Sequence, residues 1–281
     1  MTATTDTTAP ILIVGGNGKT GRRVAERLTA LGRPVRLGSR NAQPTFDWER
    51  PETWQAALDG ASAAYITYYP DLAVPGAPEA IEAFVRTALA KGVKRLVLLS
   101  GRGEPEAQQS EEMLKASGAD WTILRCAWFS QNFGEGFLLE PVLEDAVRLP
   151  AGAVPEPFVD ADDIADVAVA ALTQEGHVGK LYELTGPEAI TFEEAVAEIA
   201  RSTGRDIRYE QVPIEAFVAE LRAAGVPAVF VDLVVVLFTE VLDGRNVAVA
   251  DGVRQALGRE PKPFAQYVRE TAATSVWNRE A

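Results

Sequence analysis

The apolar run Ile11-Leu12-Ile13-Val14 passes directly into Gly15-Gly16-Asn17-Gly18-Lys19-Thr20-Gly21, and an amphipathic segment follows. A strand, a glycine turn and a helix in that order form the context in which a glycine motif becomes a dinucleotide site. Gly15, Gly18 and Gly21 read as GxxGxxG, and Gly16, Gly18 and Gly21 as GxGxxG. The glycines tighten the turn, admit a pyrophosphate to the backbone and let the helix approach the strand. The helix start adds free N–H groups and a partial positive charge. The Gly-Lys-Thr at 18–20 also resembles the end of a Walker A loop. That loop needs a glycine five residues before Gly18, where Ile13 stands inside the strand.

The second apolar segment, Pro34-Val35-Arg36-Leu37-Gly38, ends in Ser39 and Arg40. An NAD site places an acid about 20 residues past the glycines, to accept from the ribose 2′-hydroxyl. A serine and an arginine suit a 2′-phosphate instead, because the guanidinium fork makes charge-assisted bonds to phosphate oxygens. The expected cofactor is NADP(H).

From Ile11 to Leu124 apolar strands alternate with helical segments, a pattern that predicts a parallel sheet with helices on both faces. The expected fold is α/β, a Rossmann-type doubly wound sheet with a smaller, mostly helical C-terminal subdomain. The expected divisions are a disordered 1–9, a cofactor-binding 10–135, and a substrate subdomain 136–281 with segments returning to the sheet. The first helix should bury Val24, Leu28 and Leu31 and stop at Gly32. A later helix should be capped by Ser110, stop at Gly118 and face Met113 and Leu114 inward. Asp160, Asp162 and Asp163 precede an apolar-periodic segment and read as helix-start acids rather than metal ligands. Thr191 and Glu194 have capping-box spacing. The apolar stretch from Val226 to Leu242 is interrupted by Asp232 and Glu240 and is too short to span a membrane, so a buried helix is expected.

A net charge of −13 opposes a nucleic-acid partner, which requires clustered lysines and arginines. The single cysteine, Cys126, excludes an internal disulfide, and the single histidine, His177, excludes a two-histidine metal motif; no metal site is expected. His177 sits in a glycine-flanked turn and reads as a solvated loop residue. Residues 1–9 carry neither a basic nor an apolar leader segment, so a cytoplasmic, membrane-free monomer or homodimer is expected.

In doubly wound folds the ligand lies beyond the carboxyl ends of the strands. Tyr68 and Tyr69, then Ser100, then Trp128, Phe129, Asn132 and Phe133 follow predicted strands and are the candidates for an aromatic crevice beside the nicotinamide. Aromatic walls suit a flat or cationic small molecule. For Phe129 and Phe133, core packing is the equal alternative. None of the six tyrosines (65, 68, 69, 182, 209, 267) has a lysine four residues later, so the usual Tyr-x-x-x-Lys proton donor of carbonyl reduction is missing. Iminium ions, quinones and conjugated cations can accept hydride without simultaneous protonation at the attacked atom.

The segments TILRCAWFSQNF, FVDADDIADVA and YELTGPEAITFEE resemble landmarks of the NmrA-like atypical short-chain dehydrogenase/reductases. Within that group GGNGKT, the GSR after the second strand, FDWERPETW and YYPDLAVP look closest to the festuclavine/agroclavine dehydrogenase branch. The resemblance runs from Ile11 to about Trp277 and implies NADPH-dependent reduction of a cyclic iminium. It implies that Gly15, Gly18 and Gly21 hold the pyrophosphate, with Asn17, Lys19 and Thr20 lining the turn. Ser39 and Arg40 would hold the 2′-phosphate, Phe46, Asp47 and Trp48 would flank the adenine, and Tyr68, Ser100, Trp128 and Asn132 would border nicotinamide and substrate. Two positions depart from the family: Cys126 replaces the usual proline, and Ala107 stands where many relatives carry lysine. The expectation is therefore an NADPH-dependent oxidoreductase for a flat electrophile such as an iminium, quinone or enone. The alternative is a noncatalytic NADP(H) sensor.

Overall fold

The computed structural model describes residues 8–278. Along the chain run β1 (Ile11–Val14), α1 (Lys19–Ala30), β2 (Val35–Gly38), α2 (Trp54–Leu58), β3 (Ala63–Ile66), α3 (Ala77–Ala90), β4 (Arg95–Gly101), α4 (Pro105–Ala116), β5 (Asp120–Cys126), α5 (Asn132–Glu135) and α6 (Leu139–Leu143). Then come β6 (Ala146–Leu149), α7 (Ala161–Thr173), β7 (Lys180–Leu184), α8 (Phe192–Thr203), β8 (Arg208–Gln211), α9 (Ile214–Ala223), α10 (Ala228–Val236), α11 (Gly252–Leu257) and α12 (Phe264–Ala273). The chain divides into two compact units. Of the described residues, one comprises 8–125, 162–183 and 252–258, and the other 126–161, 184–251 and 259–278. The chain leaves the first unit after Arg125, earlier than the expected boundary at 135, because the Trp128–Phe133 segment joins the aromatic core of the second unit. The expectation for residues 1–9 falls mostly outside the described residues.

The six-stranded sheet has the order β2-β1-β3-β4-β5-β7. Parallel pairing sets Ile11 opposite both Val35 and Ala63, and Ala63 opposite Arg95. All four residues of β1 and all four of β3 are buried, as continuous apolar strands of a covered parallel sheet must be. From β1 the chain goes outward to β2 on one side and returns to β3 on the other, so the strand order reverses between β1 and β3. Such a reversal opens the crevice in which doubly wound folds bind ligands.

Helix α1 covers the sheet with Val24 and Leu28, both fully buried, and ends before Gly32, whose φ is +68°. Leu31 corrects the expected stripe: it is 62% exposed, because the helix has already ended and Leu31 is its C-cap. Ser110 is likewise no N-cap. Helix α4 starts at Pro105, which is pre-shaped for a first turn, and Ser110 lies buried inside it, donating to the Glu106 carbonyl at 3.0 Å. Leu114 is buried as expected, whereas Met113 is only partly so.

His177 also corrects its reading as a solvated residue. It is buried, its Nδ1 lies 2.9 Å from the Tyr182 hydroxyl and its carbonyl accepts from Thr122 at 2.8 Å. Burial, reinforced by nearby Arg95, holds its pKa below the ordinary histidine value. The helix-start acids of α7 have protein partners: Asp162 receives Arg23 at 3.2 Å and Arg27 at 2.9 Å, and Asp166 receives Arg27 at 2.6 Å.

In the second unit, Phe133, Phe158, Phe192 and Phe264 meet edge to face or tilted, at centroid separations between 5.0 and 6.0 Å. Trp277 closes this core, its indole N–H donating to the Phe133 carbonyl at 2.8 Å. A two-stranded parallel sheet of β6 and β8, which the sequence pattern did not reveal, pairs Ala146 with Arg208. Helix α8 opens with the expected capping box of Thr191 and Glu194. The Val226–Leu242 stretch is helical but not uniformly buried: Val231, Phe238, Val241 and Leu242 are covered while Val229 is 46% exposed. A segment apolar on every side presents one face to the core and leaves the other uncovered. Among the described residues no helix is long and apolar enough to cross a membrane.

Candidate functional site

The glycine turn lies at the reversal between β1 and β3. Gly15 takes φ +71°, a conformation that side chains disfavour, and a Cβ there would strike the Thr67 hydroxyl. Thr67, just past β3, donates that hydroxyl to the Val14 carbonyl at 3.0 Å, so the ends of β1 and β3 are tied together below the turn. The Gly18 N–H donates to the Gly15 carbonyl at 2.8 Å, closing the loop. A Cβ on Gly21 would collide with that same carbonyl, which brings α1 against the turn as closely as backbone permits. Gly18 is the N-cap of α1 and supplies no side-chain cap, so the first amides of the helix are open to an anion. Asn17 and Gly18 are exposed, Lys19 is partly buried and Thr20 is buried. This turn, whose close backbone packing side chains at Gly15 or Gly21 would break, fits a dinucleotide pyrophosphate.

Beyond β2, Ser39 is partly buried and its carbonyl accepts from Ala42 and Phe46 N–H groups, which curls the following loop. Arg40 is exposed, and its guanidinium lies 5.7 Å from the Tyr69 ring centroid. Phe46 is buried, stacked on Trp54 at 6.3 Å and set edge-on to Phe84 at 5.7 Å. Asp47 is spent on the loop, its Oδ1 accepting from the Glu49 N–H at 3.2 Å and its carbonyl from the Trp54 indole at 2.8 Å. Trp48 keeps a partly open ring, anchored by its indole N–H on the Thr67 carbonyl at 3.0 Å and lying 4.9 Å from the Tyr68 ring. Tyr68 is half-buried, and desolvation, followed by Glu49 and Glu79, pushes its phenol pKa upward. Tyr69 is 61% exposed.

At the end of β4, buried Ser100 donates to Glu111 Oε1 at 2.7 Å. Glu111 is completely buried on α4 and is clasped by Arg125, whose Nη1 continues to Glu183 at 3.0 Å. The Glu111 pairing is the main cause holding the Arg125 pKa above its ordinary value. Neither Glu111 nor Arg125 was legible as a site residue, since their sequence spacing matches no motif.

Sequence reasoning also missed Asp71 and Glu104. They follow β3 and β4, and the charge of Asp71 acts on Glu104. The Glu104 carboxyl lies directly over the Cα of Gly101, where a Cβ would strike it, and its Oε2 is buried without a hydrogen-bond partner among the described residues. Burial, then the Asp71 charge, raises the Glu104 pKa well above 4.5. The only signal in the sequence is a carboxylate two residues beyond a strand-end Arg102.

In the second unit, Trp128 is 9% exposed and packs edge-on to Phe192 at 5.3 Å and tilted to Phe238 at 5.1 Å. Phe129 is partly buried in a bridge with Val159, and Asn132 begins α5 partly exposed. Phe133 is wholly buried among phenylalanines, the core placement weighed as its equal alternative. Gln131 fixes this segment by donating to Asp160 at 3.0 Å and accepting from the Ala161 N–H at 2.7 Å.

Residues 15–175 match the family model described as NAD(P)H-binding. A (4-alkanoyl-5-oxo-2,5-dihydrofuran-3-yl)methyl phosphate reductase from Streptomyces griseus is 33% identical, with 93% of this chain and 98% of the relative covered. Agroclavine dehydrogenase from Claviceps fusiformis is 30% identical over 95% of this chain and 98% of its own length. The fold is shared with the NADP(H) complex of Citrobacter triphenylmethane reductase at a TM-score of 0.75, with 21% identity, 93% of this chain and 99% of that one. With the glycine cradle at the strand-order reversal and these matches along nearly its whole length, the chain belongs to the NAD(P)H-binding oxidoreductases of the NmrA-like atypical short-chain dehydrogenase/reductase family.

Proposed function

We propose that this protein is an NADPH-dependent reductase that delivers hydride to a flat, electrophilic small molecule: a cyclic iminium, a quinone or an enone. The observation that carries the reading is the cradle formed by Gly15, Gly18 and Gly21 over the Thr67-tied strand ends, in a chain with no Tyr-x-x-x-Lys pair. A reductase of this kind needs its cofactor positioned and water excluded more than it needs a tyrosine acid. The names of the relatives support the substrate class, since a dihydrofuranone is a conjugated acceptor and a clavine is a polycyclic amine.

The chain's own residues divide the work. The turn amides and the start of α1 take the pyrophosphate, with Asn17, Lys19 and Thr20 around it. Ser39 and Arg40 take the ribose 2′-phosphate, which makes NADPH the preferred form. Trp48 and Tyr68 offer the open ring faces of the first unit, and Ser100 an oriented hydroxyl at the end of β4. The bound cofactor supplies the hydride.

The test is a fluorescence titration of the protein with NADPH and NADH, followed by an iminium, quinone and enone panel added to the loaded protein. Preferential NADPH binding and oxidation by at least one class support the reading. Tight NADPH binding with no rate above the enzyme-free control would favour the noncatalytic sensor.

A further inference from the structure

Arg40 follows β2 and Tyr69 follows β3, and in the order β2-β1-β3 these two strands flank β1 on either side. Strands separated by one neighbour lie roughly 10 Å apart, a gap that long side chains can close. The two residues do meet. The Arg40 guanidinium carbon stands over the Tyr69 ring, 5.7 Å from its centroid, within the ~6 Å at which a ring face attracts a cation. Arg40 is exposed and Tyr69 is 61% exposed, so the pair is open to a ligand from solvent. The strand between them, β1, runs at the same end of the sheet into the glycine turn.

Arg40 makes no ion pair with a carboxylate among the described residues, in a chain whose net charge is −13. Other arginines nearby in the sequence are engaged differently. Arg36 donates to the Ala57 and Asp59 carbonyls at 2.8 and 2.6 Å, and Arg50 pairs with Glu52 at 3.0 Å. A carboxylate would occupy the guanidinium N–H groups, whereas a ring face attracts the cation and leaves those donors to an anion. Tyr68, the neighbour of Tyr69, is committed elsewhere, its ring 4.9 Å from that of Trp48.

We propose that Tyr69 is a positioning residue for cofactor choice, its ring holding Arg40 in place for the ribose 2′-phosphate of NADPH. The inference rests on the reading of Arg40 given above. It moves Tyr69 from the substrate crevice, where its place past β3 put it, to the cofactor. A free arginine gives up rotamer freedom when it grips a phosphate, and one already resting on a ring has given up part of it beforehand. The gain reaches only a ligand that Arg40 grips. The ring therefore raises affinity for the phosphorylated cofactor and leaves the other unchanged.

Calorimetric titration of the full chain with NADP+ and with NAD+ tests this without turnover. Tyr69→Leu should weaken NADP+ about two- to tenfold, the equivalent of ordering one long side chain anew, and leave NAD+ as in wild type. Tyr69→Phe, which keeps the ring face, should bind both cofactors as wild type does. In an Arg40→Ala background Tyr69→Leu should cost nothing further. Tyr69→Gln serves as the second variant should Tyr69→Leu fold poorly. Unchanged NADP+ affinity in both ring-deleting variants overturns the proposal. So does an equal loss for the two cofactors, or an undiminished loss in the Arg40→Ala background, since either would mean that Tyr69 acts without Arg40; these results leave the reading of Arg40 standing. An Arg40→Ala variant that does not separate NADP+ from NAD+ overturns that reading and the inference with it.

Discussion

Ser100 donates its hydroxyl to Glu111 Oε1 at 2.7 Å, and Glu111 has no solvent exposure at all. A buried carboxylate survives only when its charge is matched, and Arg125 from β5 supplies the match. The hydroxyl at the end of β4 is thus oriented by a charge pair that reaches across to the neighbouring strand.

Arg125→Ala should leave buried Glu111 with only Lys115, 3.9 Å away, to offset its charge. The expected loss is about 3 kcal/mol of unfolding free energy, the usual scale for breaking one side of a buried pair. Urea unfolding of wild type and variant measures it. Glu111→Gln should cost less, since the amide oxygen still accepts from Ser100.

Gly21→Ala places a methyl against the Gly15 carbonyl, which is backbone and cannot swing aside. The helix must retreat from the turn, at about 1–3 kcal/mol. NADPH affinity should drop more than overall stability, because the displaced amides are those proposed to take the pyrophosphate. Parallel thermal melts and NADPH titrations separate the two losses; equal affinity in variant and wild type would remove the turn from the cofactor site.

Arg40→Ala should weaken NADPH by roughly 1.5–3 kcal/mol, the worth of hydrogen bonds to a charged group, and leave NADH nearly unchanged. Arg40 is exposed and already rests over Tyr69, so its removal should not disturb the fold. Matched dissociation constants for the two cofactors decide the point, and equal losses for both would mean that Arg40 does not meet the 2′-phosphate.

The raised pKa of Glu104 gives stability a signed dependence on pH. Its folded-state value lies well above its ordinary 4.5, so the native state holds a proton that the unfolded chain gives up earlier. Stability from this group is full below the ordinary carboxylate range and is lost as pH rises through the raised value. Glu104→Gln cannot ionise and should gain on wild type as pH rises. The difference in Tm between variant and wild type, followed from pH 5 upward, should grow in the variant's favour; a flat difference would mean that Glu104 ionises like an exposed carboxylate.

Short-range chemistry was legible from the chain alone. Glycines at fixed spacing after an apolar strand, Val24 and Leu28 one helical turn apart, and the Thr191–Glu194 box are all read within a few residues, because turns and caps are built from neighbours. The same locality explains the errors. Leu31 satisfies the helical period but lies past the helix end, and His177 sits in a turn that tertiary packing covers. Phe46 and Phe133 carry the right chemistry for a ligand, and packing alone decided that both rings face inward.

The sequence by itself therefore determined the alternating architecture, the glycine turn and the lack of a Tyr-x-x-x-Lys pattern, since each is a matter of residue type at short spacing. Only the tertiary structure decided which side chains meet at the strand ends. The charge of Asp71 acts on Glu104, and Ser100 reaches Glu111 and Arg125, because a parallel sheet brings the carboxyl ends of successive strands side by side, and no local pattern of residues records that adjacency.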